Sequence, residues 1–148
     1  MKNKKINLII LLATGFYVGF FRFIPGTLGS FVAMVIYFVL KESITFLILP
    51  LVIFFLFSEK YIKTFFNSDD PPEAVIDEIT GYFISIAFLP FSFKIAIMGF
   101  VIFRIVDIIK PFPIRQSEKL RFGILIDDIL AGIMTNIMLR IILNFYHL

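Results

Sequence analysis

Apolar residues fall in runs at residues 6–21, 28–40, 44–58, 74–89, 93–109 and 124–146. Each is long enough to span a bilayer as a helix, or nearly so if its ends snorkel or the bilayer thins a little. Polar breaks separate them at Lys41-Glu42-Ser43, from Ser58 to Glu73, at Leu89-Pro90-Phe91-Ser92 and from Lys110 to Gly123. Pro90 has no amide proton and disfavours helix at Leu89, so 74–89 and 93–109 read as two antiparallel helices joined by a tight turn. No repeat or low-complexity linker interrupts the pattern. The expected architecture is a single all-α domain over residues 1–148, a polytopic membrane bundle of about five membrane helices preceded by an interfacial or re-entrant N-terminal helix.

Composition supports the membrane reading. Hydrophobic residues make up 59% of the chain, 21 of them Phe, and the mean hydropathy is +0.97. A soluble domain does not need that much apolar surface for its core. The chain has no cysteine, which removes disulfides, a thiolate nucleophile and a zinc knuckle. Its single histidine, His147, is the penultimate residue, a poor place for a phosphohistidine or a His/Asp couple. A net charge of +3, with basic residues not interleaved with aromatics, gives no reason to expect a nucleic-acid partner.

The basic residues do set an orientation. With the helices alternating in direction, Lys60, Lys63, Arg104, Lys110, Arg115, Lys119 and Arg121 share one face, and Lys41, Lys94 and Arg140 take the other. The positive-inside rule makes the first face cytoplasmic. Lys2, Lys4 and Lys5 belong on that side, and so does Gly26, so 6–21 is not a simple span; Gly15 and Gly19 permit a bend within it. The start resembles a secretory signal but lacks an A-x-A cleavage site, and it is read as retained.

Against this background the acidic residues stand out. Glu73, Asp77 and Glu78 lead into an apolar run, and a carboxylate taken into hydrocarbon costs several kcal/mol unless something pairs with it. Arg104 and Asp107 fall in the last turns of the antiparallel neighbour, and Asp127 and Asp128 in the first turn of the final helix. All converge at one depth on the cytoplasmic side. Gly81 and Ser85 follow Asp77 at helical spacing, and Gly132, Thr135 and Asn136 follow Asp128, keeping small residues on the carboxylate face where helices approach closely. Arg104 and Lys110 offset two carboxylates at most, so a bound divalent cation is expected. Oxygen-only ligands point to Mg²⁺, with Mn²⁺ and Ca²⁺ as alternatives. The competing structural explanation is that Glu73, Asp77 and Asp127 are end charges favoured by the helix dipole. It does not extend to Asp107, at the unfavourable end of its helix.

A second cluster is "FRFIPGTLGSF" at residues 21–31. Pro25-Gly26 marks a turn, and Thr27 to Ser30 open a helix whose free amides, glycines and hydroxyls suit a phosphate, although such a motif also serves as an ordinary cap. A cation transporter or channel is the alternative function class for intramembrane carboxylates, but such sites usually lie near the midplane, and these acids crowd one interface.

Four blocks, "PGTLGS" (25–30), "DPPEAVIDEITG" (70–81), "FRIVDIIKPFPI" (103–114) and "GILIDDILAG" (123–132), resemble the phosphatidylglycerophosphatase A family in order and spacing across nearly the whole chain. A single Gly123 stands where a glycine pair is expected. The resemblance implies a Mg²⁺-dependent bacterial inner-membrane enzyme that hydrolyses the terminal phosphate of phosphatidylglycerophosphate at the cytoplasmic interface. The phosphatidyltransferase pattern D-G-x2-A-R-x8-G-x3-D-x3-D is absent, as are the two histidines of histidine-based lipid phosphatases. On this basis Asp77, Asp107 and Asp128 are the expected ligands of one or two Mg²⁺. Glu78 or Asp127 acts as general base or completes the coordination. Arg104 and Lys110 neutralise the phosphate, and Thr27 and Ser30 orient it.

Overall fold

The computed structural model describes the backbone at residues 7–117 and 123–146, with side chains over 7–116 and 125–145. Lys2, Lys4, Lys5, Glu118, Lys119, Arg121 and His147 lie outside the described residues. Every regular element among the described residues is helical: α1 (Leu8–Ala13), α2 (Pro25–Leu40), α3 (Thr45–Phe66), α4 (Ile76–Ile86), α5 (Phe93–Ile109), α6 (Ile114–Ser117) and α7 (Gly123–Tyr146), with short 3-10 turns at Val18–Phe20 and Lys41–Ile44.

Three elements differ from the hydropathy pattern, each for a local reason. The N-terminal run gives only the six-residue α1, about 9 Å at 1.5 Å per residue and too short to cross hydrocarbon. Beyond it Gly15, Phe16 and Tyr17 take positive φ and the chain reverses. Helix α3 runs on through Ser58–Phe66 instead of stopping at the polar stretch. Glu59 and Lys63 pair at 2.8 Å one turn apart, and Ser58 and Ile62 are buried. Asn67, in the left-handed conformation, ends the helix by donating its amide to the Lys63 carbonyl. Helix α4 is shorter than its apolar run, because Ala87 turns extended at its end ahead of Pro90.

The bundle has two distinct ends. At one, the starts of α2, α4 and α7 meet the end of α5. At the other, Glu42 accepts the Phe91 amide at 2.9 Å, and Lys41 lies 5.4 Å from the Phe91 ring centre, so the α2–α3 and α4–α5 turns lie together. Tyr37, Tyr82, Phe83 and Phe103 fill the fully buried core between the ends. Outward, the surface is apolar. Phe57 is 87% exposed, and Ile97, Val101, Ile105 and Ile108 on α5 and Ile133, Ile137 and Ile141 on α7 form exposed stripes at helical spacing. The stretch Pro25–Phe66 is long and apolar enough to cross a membrane, with only 11% of its most apolar window buried. A core helix of a soluble domain would be mostly covered.

Helices α4 and α7 cross at bare backbone. A Cβ on Gly81 would lie 2.8 Å from the Asp128 carbonyl oxygen, and one on Gly132 would run into the Gly81 carbonyl oxygen. Further along α7, the Asn136 amide donates to the carbonyls of Ile84, Ser85 and Ala87 at 3.2, 3.0 and 3.0 Å. Arg140 reaches Ala87 and Phe88. These side chains take up the carbonyls that an ending helix leaves free. Asn136→Ala should therefore lower stability by about 2 kcal/mol, read as the thermal midpoint in detergent. An unchanged midpoint would mean the α4 end is held some other way.

Candidate active site

Asp77 and Glu78 occupy the first turn of α4, whose cap residue, Val75, offers no side-chain acceptor. The acids take over part of that role, with Asp77 Oδ1 accepting the Glu78 amide at 3.1 Å. On α7, Asp127 likewise accepts the amide of the residue after it, Asp128, at 3.1 Å. Helix α7 begins at Gly123, so Asp127 and Asp128 stand a turn into it and not in its first turn as the apolar run suggested; the contact of α4 and α7 through Gly81 and Gly132 brings that second turn beside the start of α4. Asp77, Glu78 and Asp128 each offer a carboxylate oxygen, all within 4.8 Å of one another.

Two cations bound the cluster. Arg104 Nη1 donates to Asp107 Oδ2 at 2.6 Å, and Lys110 Nζ to Asp127 Oδ2 at 2.6 Å. Arg104 also acts on Glu78, and Asp77, Asp107 and Asp127 all act on Asp128. Positive charge is thus concentrated on the flanking acids. Within the trio, Glu78 Oε2 and Asp128 Oδ1 are buried without a hydrogen-bond partner, as is Arg104 Nε. Three carboxylates with oxygens this close, two of them carrying an oxygen without a partner, are a hard donor set that fits a cation such as Mg²⁺.

The other expected residues distribute as follows. Asp107 stands beside Asp128, bound to Arg104, and Asp127 lies against Lys110. The start of α2 reaches the cluster: a Cβ on Gly26 would overlap Glu78 Oε1 and lie 3.3 Å from Arg104 Nη2. That brings the first amides of α2, which a helix cannot pair internally, toward the acids. Thr27 follows, half-buried. Ser30 is fully buried and donates its hydroxyl to the Gly26 carbonyl at 2.9 Å. Glu73 is half-buried, its carbonyl against Gly19.

Sequence reasoning did not single out two contributors. Gly26 is one: the sequence read Pro25-Gly26 as a turn ahead of the helix, whereas both are the first residues of α2 and Gly26 itself lies against Glu78. Asp70 is the other, acting on Asp77 from the preceding loop. Asp70 and Asp77 line a cavity of about 10 Å³ with Glu59 and Lys63, room for roughly one water molecule.

A helical chain with one apolar stretch long enough to cross a membrane thus encloses a carboxylate cluster that could hold a metal ion, edged by arginine and lysine. The family model for phosphatidylglycerophosphatase A matches residues 11–143, and the chain belongs to that family, a family of phosphatases. A Haemophilus influenzae phosphatidylglycerophosphatase A is 39% identical over 89% of this chain and 86% of its own length. The Escherichia coli protein of the same name is 34% identical over 84% and 77%. A Bacteroides thetaiotaomicron protein provisionally named phosphatidylinositol-3-phosphatase is 33% identical over 89% and 91%. No solved structure matches.

Proposed function

We propose that this chain hydrolyses the terminal phosphomonoester of phosphatidylglycerophosphate, releasing phosphatidylglycerol and inorganic phosphate, with Mg²⁺ as cofactor, at the cytoplasmic face of a bacterial inner membrane. The observation that carries the reading is the buried trio Asp77, Glu78 and Asp128 within 4.8 Å, edged by Arg104 and Lys110. Asp77, Asp128 and the neighbouring Asp107 would hold the metal, and Glu78 would either add an oxygen donor or stay free as the base. When bound, Mg²⁺ supplies a Lewis acid for the phosphoryl oxygens and favours ionisation of water.

The remaining steps belong to the chain. Arg104 and Lys110 neutralise the phosphate, the guanidinium by a planar fork that can grip two oxygens. Thr27 and the first amides of α2 orient it. Glu78, whose Oε2 has no partner, takes the proton as water oxygen bonds to phosphorus and the ester bond to glycerol breaks; Asp127 is the second candidate for that proton. The same carboxyl then returns that proton to the leaving glycerol oxygen.

The membrane placement rests on the exposed apolar stripes and on helix length. Helices α2, α3, α5 and α7, of 16, 22, 17 and 24 residues, reach about 24 to 36 Å. Helix α4 joins the same two ends with the help of residues 87–92, giving five crossings. Basic residues gathered at the acidic end support an inside position for it.

Phosphate release from phosphatidylglycerophosphate and from phosphatidylinositol 3-phosphate, each with Mg²⁺ or with EDTA, tests the assignment. The expected result is Mg²⁺-dependent release, faster on the first substrate. Asp77→Asn should lose it, and Asp69→Asn, in the exposed loop, should keep it. Release that persists in EDTA, or full activity in Asp77→Asn, would refute the roles assigned to the carboxylates. Preference for the inositol lipid would overturn the substrate.

A further inference from the structure

Between α1 and α2 the chain exposes Phe16, Tyr17, Phe20, Phe21, Phe23 and Ile24, with Phe23 84% and Phe16 67% exposed. This is the densest run of exposed large apolar residues in the described chain, and it lies outside the regular α-helices. It is clamped to the start of α4, the helix that bears Asp77 and Glu78. The Val75 amide donates to the Ala13 carbonyl at 2.9 Å, Gly15 sits against Val75 and Ile79, and Gly19 lies on the Glu73 backbone. The run then continues into Pro25 and Gly26, the latter against Glu78 and Arg104.

Two features show what such a segment meets. Irregular backbone is excluded from lipid unless its polar groups are paired. Here the amides of Gly15, Phe16, Val18, Gly19, Phe20 and Phe21 donate to carbonyls, and that of Tyr17 to the Thr14 hydroxyl, all within residues 11–21. From Gly15 to Phe21 the bend can therefore lie at the hydrocarbon boundary with its donors paired. Phe16 and Tyr17 also hold φ of 56° and 73°, a left-handed conformation that costs side-chain-bearing residues energy, and Phe16 faces outward in spite of it. Exposed Arg22 sits within the aromatic run, placing a cation where an anionic lipid would lie.

We propose that residues 16–24 form the surface on which the acyl chains and glycerol backbone of the phospholipid substrate rest while its phosphate lies at Arg104 and the carboxylate trio. The inference rests on the lipid phosphatase reading above. The segment then selects lipid-borne phosphomonoesters over water-soluble ones, a property that the metal site, which sees only phosphate, cannot provide.

The test compares kcat/KM on dioleoyl phosphatidylglycerophosphate in vesicles with kcat/KM on its dihexanoyl analogue dispersed as monomers. The triple variant Phe16→Asn, Phe21→Ser, Phe23→Ser removes the apolar surface, asparagine being chosen because it tolerates the left-handed conformation. The long-to-short ratio should fall about tenfold in the triple variant and about threefold in Phe23→Ser alone. A wild-type ratio in both, even with a lowered thermal midpoint in detergent, would make the segment a bulk-lipid anchor and overturn the proposal. So would loss of both substrates in the triple variant together with a wild-type ratio in Phe23→Ser. If the wild-type protein releases phosphate from neither substrate, the parent reading fails instead.

Discussion

Asp128→Asn should cut phosphate release about a thousandfold at saturating Mg²⁺, since losing a metal ligand removes several kcal/mol of transition-state stabilisation and each tenfold in rate is about 1.4 kcal/mol. The same substitution should raise the thermal midpoint of the metal-free protein. Asparagine nearly matches aspartate in shape, so packing at this buried position is retained, but one negative charge leaves a site where Asp77, Asp107 and Asp127 all press on Asp128. In EDTA that repulsion is relieved. In Mg²⁺ the wild type gains stability from binding in proportion to the logarithm of ligand concentration over Kd, and the variant, with a weakened site, gains less. Thermal unfolding in detergent with and without Mg²⁺ reads both. Arg104 and Lys110 each hold a flanking acid at 2.6 Å and so offset the charge of the trio only in part. If aspartate and asparagine at 128 give the same midpoint shift on adding Mg²⁺, the trio does not hold the metal.

The candidate site was largely legible in the sequence, because charge in an apolar run has few cheap explanations. Asp77, Glu78 and Asp128 stood at the same depth on helices whose direction could be counted, and glycines one turn on let those helices touch. The helix count depended on hydropathy, and hydropathy reports burial in lipid or protein rather than hydrogen bonding. It therefore ended α3 at Ser58, although Lys63 and Glu59 carry the helix eight residues further. It also extended α4 past Ile86, where Asn136 and Arg140 reach back from α7 to receive its last carbonyls. Contacts of that kind join residues about fifty positions apart and leave no local signature. The bend after α1 was partly visible in Gly15 and Gly19. Its left-handed Phe16 and Tyr17 were not, since neither is a residue type that marks that conformation in a sequence.

Gly132→Ala should destabilise the protein by about 2 to 3 kcal/mol and lower kcat/KM about a hundredfold. On an isolated helix the change would help, alanine being favoured over glycine by about 1 kcal/mol. At this position the new methyl runs into the Gly81 carbonyl oxygen, with Ile84 Cβ 3.0 Å away. A backbone oxygen cannot swing aside, so α4 and α7 must move apart, and overpacking of this kind costs about 1 to 3 kcal/mol. The crossing also sets the distance from Asp77 and Glu78 to Asp128, and a misplacement of about 1 Å in a reacting site costs about a hundredfold. Gly99→Ala is the comparison: its methyl meets side-chain atoms, Ile86 Cγ2 at 2.9 Å, Leu139 Cδ1 at 3.4 Å and Ser85 Oγ at 3.8 Å, so a side chain and not a backbone oxygen must shift, and the cost should be smaller, about 1 to 2 kcal/mol, with the Mg²⁺ requirement unchanged. The variant at 132 should also need more Mg²⁺ for half-maximal activity, a shift that simple loss of folded protein would not produce. Equal stability and equal Mg²⁺ requirement in the two variants would mean that the α4–α7 contact does not set the geometry of the carboxylates.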